Sequence, residues 1–168
     1  PDIFYWQDTT EEYCALFDHT EAGLHSVLPQ AYFVKRVGGK RVQTSVLIPP
    51  GKSPTTYEPS SRQIRHLSSA SIYVKVGHPL FPFEKAHFQK IISAHPNIMV
   101  VDMSRNVDLI AGNPHLWLSP DGVLKTVQAI VAALTQVDPD GAAYYEENAR
   151  RFSHDINVLK KEIHEAVG

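Results

Sequence analysis

From Leu24 to Ser104 the sequence alternates between strand-like and helix-like hydrophobic periods, and this alternation limits the possible folds more than any other feature. An apolar stretch, LHSVLP, leads into a helical segment, QAYFVKRVGG, that stops at Gly38 and Gly39. The β-branched run RVQTSVLIPP then ends on a double proline. The pattern repeats with SSRQIRHLSSA as a short helix carrying Ser60 as its candidate cap, SIYVKVG as a strand, FEKAHFQKIISAH as a helix and NIMVVDMS as a strand. Strands separated by helices imply right-handed crossovers and a parallel sheet covered on both faces. The fold expected is therefore α/β, a four-stranded parallel sheet with flanking helices.

Two helices follow. Ser119 is placed to cap the first, Pro120 sits where its missing N–H costs nothing, and Asp121 suits the positive helix end. Val123, Val127, Ile130, Val131 and Leu134 share one face of it. The second opens on Asp138-Pro139-Asp140 and carries the stripe Phe152, Ile156, Leu159, Ile163 and Val167. Run from Pro139 to Gly168, this long C-terminal helix would measure roughly 45 Å, more than a small sheet can cover. Its far end calls for a second copy of the chain or a further domain.

Residues 1–22 stand apart. Six acidic residues (Asp2, Asp8, Glu11, Glu12, Asp18, Glu21) occur there with no Lys or Arg, and the aromatics Phe4, Tyr5, Trp6, Tyr13 and Phe17 suit an irregular or helical arm packed on the body. The organisation expected is an acidic N-terminal arm over 1–22, a lobe over 23–137 and a long helix over 138–168. One core is the expectation for 168 residues. A net charge of −2 offers no field for nucleic acid, and no stretch approaches the length of a membrane span. The lone Cys14 cannot form an internal disulfide and fits the cytosol and the exported space equally.

Ligands of open parallel sheets bind beyond the carboxyl ends of the strands, so three loops matter. PPGKSPTTYEP offers Thr55, Thr56, Tyr57 and Glu58; GHPLFPFE offers His78; the loop ending in NPHLWLSP offers His115. Imidazoles converging on a cleft suit a divalent transition metal, which neutral nitrogen binds at about 2.0–2.1 Å in the case of zinc. The competing reading is a turn histidine bonded to backbone, and for His78 the two stand level. Glu58 has a competing role as a cap for the next helix. His19 and His25 flank the arm junction, and His66, His87, His95, His154 and His164 read as surface or rim residues. Dinucleotide, P-loop and nucleophile-elbow patterns are all missing, so no enzyme is expected.

Four segments, SVLPQAYFVKRVGG, VLIPPGKSPTTYEPSSRQI, YVKVGHPLFPFE and NPHLWLSP, resemble in order and interval the zinc- and manganese-binding substrate receptors of bacterial ABC importers. The resemblance runs from about His25 to Gly168. It implies a chelatase-like N-terminal lobe, a backbone helix crossing to a second lobe absent from this sequence, and a periplasmic or otherwise extracytoplasmic location, with membrane anchoring of the full precursor as an option. It implies a divalent metal as cargo, zinc first and manganese as the alternative, and an ABC permease as partner. His115 falls on the metal-binding histidine of the DPHxW motif. The second ligand position, the histidine of SPHTYEP, reads Thr55 here, a neutral hydroxyl and a weak ligand. The remaining ligands, a histidine and a carboxylate, would come from the other lobe. The alternative is a single-lobe module that has lost metal binding and self-associates through the last helix or takes another solute.

Overall fold

The computed structural model describes residues 21–61, 63, 70–105, 107–109 and 113–167. The arm as far as residue 20, and most of the short helix expected over 60–70, lie outside the described residues. The rest is a mixed α/β structure built on a small parallel sheet. Its elements are β1 (Glu21–His25), α1 (Leu28–Gly38), β2 (Val42–Val46), β3 (Ile72–Lys75), α2 (Pro82–Ala94), β4 (Met99–Asp102), α3 (Pro120–Val137) and α4 (Ala142–Val167).

The sheet order is β2-β1-β3-β4, with every pair parallel. Ile72, Tyr73 and Val74 are all buried although successive strand residues point to opposite faces, so both faces of β3 are covered. On one of them Tyr73 stacks on Phe88 of α2 with ring centroids 5.8 Å apart. α3 packs against α4 and β4, and α1 packs against α4 and β2.

β1 departs from the expected span. It begins at Glu21, inside the segment read as the acidic arm, and ends at His25, four residues before Pro29. Proline has no N–H for a sheet ladder but is tolerated in the first turn of a helix, so Leu28 and Pro29 open α1. The Gln30 side chain caps it by accepting the Val27 N–H at 3.0 Å. A Cβ at Gly38 would come within 2.3 Å of the Val42 side chain, which explains why a bare backbone closes the helix there.

The two later helices follow the expected faces. Ser119 Oγ accepts the Gly122 N–H at 3.2 Å, and Val123, Val127, Ile130 and Leu134 are buried. The last helix starts later than expected. Residues Pro139–Gly141 form a 3-10 turn, and Asp138 holds the corner by accepting two hydrogen bonds from Arg41, at 2.8 and 2.9 Å, and one from the Tyr145 hydroxyl. α4 then runs 26 residues, about 39 Å at the standard rise.

The buried contacts of α4 lie in its first half, and beyond them Ile156 packs partly buried on the core while Asp155 pairs with Arg36 and Lys160 with Asp121. Tyr145, Ala149 and Phe152 are buried, whereas Val158, Leu159, Ile163 and Val167 are 44 to 81 % exposed. Phe152 is the last buried residue of the helix: it packs against Tyr32 and Phe33 at 5.8 and 6.0 Å, with the Arg36 guanidinium 4.6 Å above its ring. Phe152→Ala is expected to cost about 3–5 kcal/mol, read as a fall in the denaturant midpoint. A loss below about 1 kcal/mol would show that α4 is held elsewhere.

Candidate metal centre

All three loops named from the sequence leave the carboxyl ends of strands, as the parallel topology requires. They hold their candidate residues in different ways.

His115 is exposed, yet its backbone is fixed on both sides. It precedes a 3-10 turn, Leu116–Leu118, whose first residue is buried and whose end meets the Ser119 cap of α3. The His115 carbonyl accepts the Leu118 N–H at 3.0 Å. Its ring lies edge-on to Trp117, with centroids 5.2 Å apart and planes at 80°. Ring Nδ1 is 2.7 Å from Asn113 Oδ1, which also accepts the His115 backbone N–H at 3.0 Å. An outward imidazole restrained in this way loses little side-chain entropy when it takes up a ligand.

His78 is buried, and its Nδ1 accepts the Leu80 N–H at 3.1 Å while its carbonyl accepts the Phe81 N–H at 2.9 Å. This is the turn-histidine arrangement. With Nδ1 accepting, the neutral ring carries its proton on Nε2, so neither nitrogen offers a lone pair until the Leu80 bond opens.

Thr55 is exposed on a turn that Ser53 closes by accepting the Thr56 and Tyr57 N–H groups at 3.2 and 3.0 Å. Tyr57 ties this turn down through its hydroxyl to Gln63 Oε1 at 2.7 Å and its ring 6.3 Å from Phe83. Glu58 is exposed, and the capping role belongs to Ser60, whose Oγ accepts the Gln63 N–H at 3.3 Å. Among the described residues no three His, Cys, Asp or Glu side chains are grouped so as to hold a metal ion.

One polar group of consequence did not stand out in the sequence. Glu84 is buried in the first turn of α2. Its Oε1 accepts Ser26 Oγ–H at 2.5 Å and the Val76 N–H at 2.6 Å, and its Oε2 accepts the Gly77 N–H at 2.8 Å. The Ser26 hydroxyl, having given its proton to Glu84, accepts from Tyr73 OH at 2.6 Å. Burial pushes the Glu84 carboxyl above its ordinary range, and the Ser26 hydroxyl, the Gly77 and Val76 amides and the Lys75 charge only partly offset this. The cluster joins the end of β1 to the end of β3 just before His78. Its one sequence signal was an acidic residue following Pro82 at a helix start.

Residues 24–168 match the family model of zinc-uptake complex component A, periplasmic. The chain belongs to this family. It is 28 % identical over 140 residues to the manganese-binding lipoprotein MntA of Halalkalibacterium halodurans, a match covering 80 % of this chain and 45 % of that protein. It is 24 % identical over 152 residues to the high-affinity zinc uptake system protein ZnuA of Bacillus subtilis, covering 79 % and 47 %. Among solved structures, a crystal structure of ZnuA superposes with a TM-score of 0.79 at 32 % identity, over 87 % of this chain and 58 % of that one. The chain thus spans about half the length of these family members. No helix among the described residues is long and apolar enough to cross a membrane.

Proposed function

We propose that the chain forms the N-terminal half of an extracytoplasmic receptor that captures a divalent transition metal, zinc in preference to manganese, and delivers it to an ABC permease. The observation that carries this reading is His115: an exposed imidazole with a pinned backbone, its Nδ1 engaged by Asn113. In this reading residues 23–137 are a chelatase-like lobe of four parallel strands, residues 138–168 are the backbone helix, and residues 1–22 precede the lobe. His115 supplies one ligand, and Thr55 and Glu58 line the cleft. His78 holds its loop and joins the ligand set only by releasing Leu80. Among the described residues no three ligating side chains are grouped, and in this reading the ligand set is completed from a second lobe. In this reading the receptor makes and breaks no covalent bond, and selectivity comes from the ligand set and its geometry: nitrogen favours zinc, and added carboxylates shift the balance to manganese.

Calorimetric titration of the chain and of His115→Ala with Zn²⁺ and Mn²⁺ tests the reading. Zinc affinity is expected to fall at least about tenfold on removal of the imidazole, on the scale seen when a metal site loses support. Equal titrations for both proteins would sink it. The exposed Val158, Leu159, Ile163 and Val167 support a second reading, self-association through α4. A solution mass of twice the monomer, lost in Leu159→Glu/Ile163→Glu, would favour it.

A further inference from the structure

We infer that Asn113 is a positioning residue that selects the tautomer of His115, so that Nε2 is the nitrogen left with a lone pair for metal. The inference rests on the receptor reading for its purpose, but its geometry stands apart from that reading. Asn113 Oδ1 lies 3.0 Å from the His115 backbone nitrogen and 2.7 Å from ring Nδ1. A backbone N–H can only donate, so the side-chain atom facing it must be the amide oxygen and not the amide nitrogen. That oxygen cannot donate in turn. Nδ1 must therefore carry the ring proton, and in the neutral ring Nε2 is then the acceptor.

The selection matters because a free neutral histidine in water favours the opposite form, with the proton on Nε2. Without Asn113, most rings would have to shift the proton or turn over before offering Nε2 to a metal. Trp117 lies edge-on to the ring with centroids 5.2 Å apart, and a ring turning over must sweep past it. Asn113 is half-buried and comes from the same loop as its target, two residues away. An amide also orients the ring without adding the negative charge that a carboxylate would bring to the cleft.

The test is nitrogen NMR of the metal-free, ¹⁵N-labelled chain at a pH where histidine is neutral, run alongside zinc titrations. Wild type is expected to show His115 protonated at Nδ1. Asn113→Ala should move it to a mixture dominated by the Nε2-protonated form and lower zinc affinity about tenfold to a hundredfold. Asn113→Asp, which keeps an acceptor in place, should restore the Nδ1-protonated form. A wild-type ring protonated at Nε2, or an Asn113→Ala spectrum unchanged from wild type, would overturn the inference. The expected tautomer response combined with zinc affinity indifferent to both Asn113 and His115 would instead overturn the receptor reading and leave the tautomer control standing.

Discussion

Zinc affinity is expected to rise about tenfold to a hundredfold in Thr55→His, a gain of the size associated with a well-supported ligand. In the proposed receptor reading the threonine takes the place of a second imidazole ligand, and a neutral hydroxyl contributes little beside nitrogen. The turn around it is already fixed: Ser53 accepts the Thr56 and Tyr57 N–H groups, and Tyr57 binds Gln63 and packs near Phe83. A histidine introduced there gives up side-chain freedom but requires no reordering of the backbone. Combining the change with His115→Ala distinguishes a shared ion from a separate one. If both rings hold one ion, most of the gain disappears in the double variant, whereas independent sites keep it in full. A single variant no tighter than wild type would mean that the Thr55 and His115 loops do not meet around a metal.

Gly77→Ala is expected to be among the most damaging single substitutions in the chain, at about 2–4 kcal/mol, combining left-handed backbone strain with a blocked contact. Gly77 has φ of +77°, and a Cβ added there would come within 1.9 Å of Asp102 Oδ1 and 2.6 Å of Ser104 Oγ. Neither atom is free to retreat. Asp102 bridges to Lys75 at 2.7 Å and accepts from the Ser104 amide and hydroxyl at 2.9 and 2.6 Å. Burial alone would raise the Asp102 carboxyl, but Lys75 and Ser104 outweigh it and hold the group below its ordinary range. Thermal unfolding is the measurement, with a drop of roughly 5–15 °C for a chain of this size. Gly77→Ala at wild-type stability would show that the β3 and β4 ends separate easily.

The alternation of strand and helix was legible because each segment carries its own period and its own stop. The faces of α3 and the Ser119 cap followed from local chemistry, and so did the stripe on α4. The start of β1 was not legible. Glu21 and Ala22 belong to an acidic run with no strand alternation, and they join the sheet because β2 offers them partners at Val42 and Gln43. Pro139 looked like a helix start, yet Arg41, 97 residues away, holds Asp138 in a corner that delays α4 to Ala142. His115 could be singled out because a proline and an aromatic flank it. His78 shows the limit of such reasoning, since whether its Nδ1 faces a cleft or the Leu80 N–H depends on a turn that only the packed loop decides. Glu84 was hidden for a similar reason: its three donors come from the ends of two strands that are distant in sequence.

The strand order carries a consequence for biosynthesis. β1 lies inside the sheet, and its second neighbour, β3, pairs Ile72 with Gly23, so after β2 ends at Val46 roughly thirty more residues must be translated before that edge can close. At about 5–20 residues per second, the nascent chain carries an open ladder of amides for some seconds after β1 and β2 are ready to pair.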